Sequence, residues 1–199
     1  GNYTITYQPG TLTIDPASLE VTTSAVTKTY DGALSGSGTP ITTGGTQLFG
    51  TDYLSGGTYT FADANAGNGN KTVTVGGVTV HDGNGGQNYA VTYVANAQST
   101  INPASITVST ADVTKSYDGT DSALGTLTVS ATLYHNATSG TQDSLSGGTF
   151  AFSDPNAGTA DKTVTVTGVT VNVGNGGANY DVTYAPNTTS TINPATLSF

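Results

Sequence analysis

Four lysines are the only basic side chains in this chain apart from two histidines, and their placement is the first chemical clue. Lys28 lies in "TKTYDG" and Lys115 in "TKSYDG", while Lys71 and Lys162 each open a "KTVTV" run. A buried lysine beside an Asn or Asp, with a second acid to shuttle protons, can close an intramolecular amide staple. That chemistry makes Lys28, Lys71, Lys115 and Lys162 the crosslink candidates. The plainer reading makes them edge-strand guards or pairs Lys28 with Asp31 and Lys71 with Asp63, since the spacing identifies no shuttling acid.

A second chemistry is suggested by "DANAGNGN" at 63–70 and its mirror "DPNAGTAD" at 154–161. Asp63, Asn65, Asp154 and Asn156 offer alternating oxygens, and Asp161 would add an acid, so these residues are the calcium candidates. Calcium takes six to eight oxygens, commonly with a closing bidentate carboxylate. Asn70 stands where the second copy has Asp161, so the first copy lacks that acid and an Asx-turn leading into the next strand is the simpler reading.

Catalysis finds little support. His81 aligns with Asn172, His135 falls in a variable segment, and Glu20 is the sole glutamate. No nucleophile with a base, and no pair of acids facing across a cleft, recurs in both copies, so no enzyme activity and no catalytic residue is expected.

The elements that must position these residues are repeated. "LSGGTYTFADANAG" at 54–67 returns as "LSGGTFAFSDPNAG" at 145–158, and "NGGQNYAVTY" at 84–93 as "NGGANYDVTY" at 175–184, all 91 residues apart. The "YDG" phrases are 87 apart, so four residues are inserted between Gly119 and Leu145, as expected of a surface loop. "NYTITY" and "TIDPAS" near the N-terminus repeat phrases found later at 88 and 100. The expected organisation is residues 1–14 as the last strands of a preceding copy, 15–102 as the first complete repeat, 103–193 as the second, and 194–199 as the start of another. Tyr30, Asp31 and Gly32, with Tyr117, Asp118 and Gly119, are then structural: each Tyr anchors a core and each Asp-Gly makes a turn.

Period-two alternation predicts strands. "KTVTV" sets Val73 and Val75 on one face and Thr72 and Thr74 on the other, and "NYAVTYV" aligns Tyr89, Val91 and Tyr93. Gly- and Asn-rich clusters punctuate the runs as turns. The expected fold is all-β, with tandem antiparallel sandwiches of immunoglobulin-like architecture; β-grasp-like modules are the alternative. Only Asn102, Pro103 and Ala104 join one repeat to the next, and proline makes that joint short and stiff. Modules joined this way stack into a rod, each adding about 30 to 40 Å.

Composition narrows the partners. A formal charge of -9 with no arginine argues against nucleic acid, and no apolar run is long enough for membrane insertion by this segment. Cysteine and methionine are absent, which suits passage through an oxidising compartment.

The ordered set "TKTYDG", "GGTYTFADANAG", "KTVTVGGVTV", "GQNYAVTY" and "STINPA" resembles the YDG and MBG type repeats of large bacterial surface adhesins, the filamentous-haemagglutinin-like exoproteins. The resemblance covers essentially the whole chain. It implies an extracellular, cell-surface location, export by a two-partner or autotransporter route, and a stalk that supports adhesion, aggregation or biofilm. Neighbouring repeats are the expected partners of an otherwise monomeric fragment. In an alternative, the variable loop 121–144, with Tyr134 and with Tyr53, binds polysaccharide or a host ligand. No cofactor beyond the candidate calcium is expected.

Overall fold

The computed structural model describes residues 1–198. The first repeat forms β1 (Ala17–Thr23), β2 (Thr27–Thr29), β3 (Ser35–Gly36), β4 (Pro40–Thr43), β5 (Tyr53–Phe61), β6 (Gly67–His81), β7 (Tyr89–Tyr93) and β8 (Asn96–Asn102). The second forms β9 (Ala104–Thr110), β10 (Thr114–Ser116), β11 (Ser122–Ala123), β12 (Leu127–Val129), β13 (His135–Asn136), β14 (Thr141–Gln142), β15 (Ser144–Phe152), β16 (Gly158–Asn172), β17 (Tyr180–Tyr184) and β18 (Asn187–Asn193).

Each repeat is built from a three-stranded and a five-stranded sheet, ordered β4-β1-β7 with β2-β8-β6-β5-β3, and β12-β9-β17 with β10-β18-β16-β15-β11. The chain is all-β, in tandem modules, as the alternation requires. The sheets are mixed rather than wholly antiparallel: β1 runs parallel to β7, and β2 parallel to β8, with the same pairing in the second copy. An early strand therefore meets a late one, and alternation along a single strand carries no information about the direction of its neighbour. The β-grasp alternative wraps a sheet around a helix, and no helix forms among the described residues.

The long hairpin of β5 and β6 serves both sheets of its repeat. Lys71, Val73 and Val75 point inward while Thr74 faces out, as the period of two dictates. Pairing then skips a step where Gly57 (φ 103°) and Gly77 (φ 63°) sit, conformations open to glycine. The bend turns the far end of the hairpin so that Val80 packs with Leu19, Val21 and Tyr89. "LSGG" is thus repeated because each copy bends at the same place.

The largest core cluster crosses the boundary between the repeats. It joins Val26, Tyr30, Phe61, Val73 and Ile101 of the first repeat to Ile106, Val108, Val166 and Tyr180 of the second. At the N-terminus, residues 1–16 belong to no strand, and Tyr3, Tyr7 and Ile14 are exposed. Their sequence copies β7 and β8, but the places those strands take in the first repeat are filled by 89–93 and 96–102. Residues 194–198 are likewise outside any strand, and Phe199 lies outside the described residues.

Candidate functional site

The lysines organise two turns at the same end of each repeat. Lys28 Nζ donates to Asp31 Oδ1 (2.6 Å) and to the carbonyls of Ala33 (2.7 Å) and Ser35 (3.0 Å), and lies 5.4 Å from the centre of the Phe61 ring. Asp31 in turn accepts the Ala33 N–H, closing the "YDG" turn with Gly32 at φ 74°. Lys115 repeats this with Asp118, Thr120, Ser122 and Phe152. Lys71, only 8% exposed, donates to Asp63 Oδ1 at 2.7 Å, and that same oxygen accepts the Asn65 N–H to make an Asx-turn. Lys162, Asp154 and Asn156 form the matching turn.

At the calcium candidates, the ammonium therefore occupies the side of the carboxylate where a cation would bind. Asn65 Oδ1 is taken by two side-chain amides, and Asp161 does not join the Asp154 turn through a hydrogen bond. No group of three or more His, Asp or Glu side chains suited to a metal occurs among the described residues. At the crosslink candidates, each lysine meets one carboxylate as an ion pair, with no second acid hydrogen-bonded to it.

These pairs respond differently to perturbation. Asp63→Asn keeps the acceptor of the Asx-turn but leaves the Lys71 ammonium buried without a counter-charge. It is expected to destabilise the protein by about 1.5–3 kcal/mol, the range for a hydrogen bond to a charged group, read by urea denaturation. Asp118 is held well below its ordinary 3.8, to about 2, first by the Lys115 hydrogen bond and then by the Thr120 N–H. Since its folded pKa is depressed, its contribution is present above pH 3.8 and is lost as pH falls through about 2. NMR titration of the Asp118 carboxyl should follow that window, and Lys115→Met should move the midpoint back towards the ordinary value.

What the two turns present is the end of the first repeat, and the second repeat closes over it. Tyr30 Oη donates to Asp143 Oδ2 (2.7 Å), and Tyr180 Oη donates to the same oxygen (2.9 Å). Tyr30 stands edge-on to both Tyr134 and Tyr180, which stack on each other, and the Tyr134 N–H donates to Tyr180 Oη. Burial first, and then the Asp143 carboxylate, push the Tyr30 phenol far above its ordinary 10.0. Burial and Asp143 do the same to Tyr180, against the opposing Tyr134 N–H.

Beside this aromatic cluster lies an amide cluster. Asn65 Oδ1 accepts from Asn136 Nδ2 (2.8 Å) and Asn179 Nδ2 (3.0 Å), while Asn179 Oδ1 accepts the Ala66 N–H (2.8 Å) and Asn175 Nδ2 (3.0 Å). The Ala64 N–H donates to Thr138 Oγ1, and the Ala137 N–H to the Gly32 carbonyl. Gly32 lies so close to the His135 backbone that a Cβ there would collide with the His135 carbonyl oxygen.

The inserted loop is therefore not a free surface loop. Eight residues separate Tyr134 from Asp143 where two separate Phe49 from Asp52, and the extra length folds as the β13–β14 hairpin that carries the fully buried Asn136 into the joint. Tyr134, named above with the loop as a ligand-binding candidate, is part of the Tyr30 cluster. Tyr53 is exposed but stacks on His81 at 4.2 Å. A Ser55–His81 contact of 2.6 Å escaped the sequence reading; Asn172 and Ser146 make the same cross-strand clasp in the second copy, so the position works without an imidazole.

Asp143, Asn136, Asn175 and Asn179 also escaped that reading. For three of them a signal existed: Asp52 and Asp143 both stand two positions before "LSGG", and Asn84 with Asn88 matches Asn175 with Asn179.

Fold and site together define a class: tandem all-β repeats in which two lysine-tied turns of one copy are clasped by an Asp, Asn and Tyr set from the next. The YDG domain family matches the chain twice, over residues 15–98 and 102–190, and the chain belongs to that family. No curated protein and no solved structure matches it.

Proposed function

We propose that this chain is a stiff stalk segment of a secreted or surface-anchored bacterial adhesin. It spaces a binding region away from the cell and serves adhesion, aggregation or biofilm formation, without catalysis of its own. The observation that carries the reading is the joint, where Tyr30 is 1% exposed and its phenol shares the buried Asp143 carboxylate with Tyr180. A flexible linker makes no such contacts. Here Pro103 separates β8 from β9 directly, and side chains on both sides lock the angle that the short connection leaves open. The test is small-angle scattering of the dilute protein. A stalk requires an elongated envelope of fixed length that Tyr30→Ala makes variable; a compact or broadly averaged envelope for the unmodified chain contradicts it.

One observation favours a second reading, in which the modules bind glycan. The exposed Tyr53 ring on His81 stands at one end of β5 and β6, and an open groove of about 630 Å³ runs by His81, Asp82 and Tyr93. Binding on a glycan array that Tyr53→Ala abolishes would establish it; binding unaffected by that change, or none, removes it.

A further inference from the structure

The first and last stretches of each repeat lie side by side and run the same way. In the first repeat β1 leads into β2 and β7 leads into β8; Ala17–Val21 pair in parallel with Tyr89–Tyr93, and Thr27–Thr29 with Thr100–Asn102. Main-chain bonds carry this ribbon past both ladders. The Ala17 N–H donates to the Asn88 carbonyl (2.8 Å) at one end, and the Tyr30 N–H to the Asn102 carbonyl (2.8 Å) at the other. Between the ladders the register slips by one residue, and a side-chain pair bridges the step. Asn96 Nδ2 donates to the Thr23 carbonyl (3.1 Å), the Val26 N–H donates to Ser99 Oγ (3.0 Å), and Ser99 Oγ donates to Asn96 Oδ1 (3.1 Å). Ser99 is fully buried, so no water competes for these bonds. The edge strand β2 is also tied across the sheet, because Lys28 Nζ reaches the Ser35 carbonyl on β3, the opposite edge.

The second repeat has the same ribbon bond for bond. β9 runs parallel to β17 and β10 to β18, closed by Ala104 N–H on the Asn179 carbonyl and Tyr117 N–H on the Asn193 carbonyl. Asn187 and the buried Ser190 bridge the same one-residue step, to the Thr110 carbonyl and from the Val113 N–H. Asn102 ends the first ribbon and Ala104 opens the second, with Pro103 alone between them, so the two ribbons are connected in series.

Tension along the chain enters a repeat at Ala17 and leaves it at Asn102, the opposite ends of one parallel pair. It drags the two stretches lengthwise past each other and strains all the bonds between them together. Pulled apart from a shared end, the same bonds would break one after another. Strand direction decides which of these happens: antiparallel first and last strands would bring entry and exit to the same end and unzip. A parallel pair needs a crossover, and here the crossover is the rest of the repeat. Resistance to force is set by the unfolding barrier rather than by equilibrium stability, so this topology adds a property that melting does not report.

We propose that each repeat is a shear clamp, formed by residues 17–30 with 88–102 and by 104–117 with 179–193, and that the segment bears tension as well as providing length. This deepens the stalk reading and rests on it only for the origin of the tension.

Single-molecule force spectroscopy on the full chain tests it, with cysteines introduced as handles because the chain has none. Asp15→Cys with Ala195→Cys, both exposed, pulls lengthwise along both ribbons. Asp15→Cys with Gln87→Cys, which lie together beside Ala17 and Asn88, pulls the first ribbon open from one end. At equal pulling speed, the lengthwise pair should give two abrupt events, each releasing roughly 250 Å of extended chain. Their forces should be several-fold higher than that of the end-on pair. Asn96→Ala should lower one lengthwise event, leave the other unchanged, and barely alter the end-on force, because peeling begins at Ala17; a general loss of stability would lower both geometries alike. Equal forces in the two geometries, or lengthwise extension without abrupt events, overturns the proposal. The stalk reading is judged separately, by scattering of the dilute chain at rest, and can hold where the clamp fails.

Discussion

Tyr30→Ala is expected to destabilise the protein by about 3–5 kcal/mol, the cost of emptying a buried aromatic site. Tyr117→Ala, the same change in the same phrase 87 residues on, is expected to stay within about 0.5 kcal/mol of the unmodified chain, as surface substitutions do. Local sequence, the lysine-tied turn and the backbone contact to the last strand of the same repeat are alike at both positions, so the difference isolates what the neighbouring repeat contributes. Tyr30 is fully enclosed by Tyr134, Tyr180 and Asp143, whereas Tyr117 faces solvent. Losing Tyr30 also removes one of the residues of the core cluster that spans the two repeats, the one that meets Tyr180 edge-on. Urea unfolding that is a single transition in the unmodified chain should separate into two in the variant. Equal effects at the two tyrosines would mean that the second repeat adds nothing to the first.

Alkali should open the joint. Tyr30 and Tyr180 both have folded pKa values raised above the ordinary 10.0, by burial first and by the Asp143 carboxylate. Groups whose pKa rises on folding contribute stability that is fully present below the unfolded pKa and lost as pH climbs through the folded one. The melting temperature should therefore hold up to about pH 10 and fall steeply above it. Deprotonating either phenol places a phenolate against a buried carboxylate, where neither charge has a cation to offset it. In Tyr30→Phe the decline above pH 10.0 should be shallower, because one of the two titrating donors is gone. A phenolate absorbance titration should show these two groups ionising well above the ordinary 10.0.

Much of the module was legible in the sequence because its cause is local. Val73 and Val75 alternate with threonines and are buried as that spacing demands; "DG" turns need positive φ at Gly32 and Gly119 and have it. The pairs Lys28 with Asp31 and Lys71 with Asp63 follow from separations of three and eight residues and are formed. Strand direction was not legible, since β1 and β7 are far apart in sequence and nothing in either strand states whether the other runs with or against it.

The joint was the least legible part. Asp143 and Asn179 read as polar residues near Gly-rich turns, which ordinarily face water, and only the arrival of Tyr30 and Asn65 from the other repeat explains their burial. The insertion misled for the same reason. An extra stretch of Thr, Ser, Asn and Gly looks like a solvated loop, yet Asn136 is buried because its amide reaches Asn65 and its carbonyl oxygen accepts the Thr138 and Ser139 N–H groups. Repetition within the chain was the usable signal. A residue type kept in both copies beside a turn, as Asp52 with Asp143 or Asn88 with Asn179, marks a contact that each copy makes.

The central claim is that side chains fix the angle between the repeats. Because the chain has no cysteine, a pair introduced at Thr74 and Thr165, matching exposed positions on β6 and β16, can carry spin labels without other changes. Pulsed dipolar spectroscopy should give one narrow distance distribution in the otherwise unmodified chain and a broad one once Tyr30→Ala is added. A distribution already broad before that substitution would contradict the account.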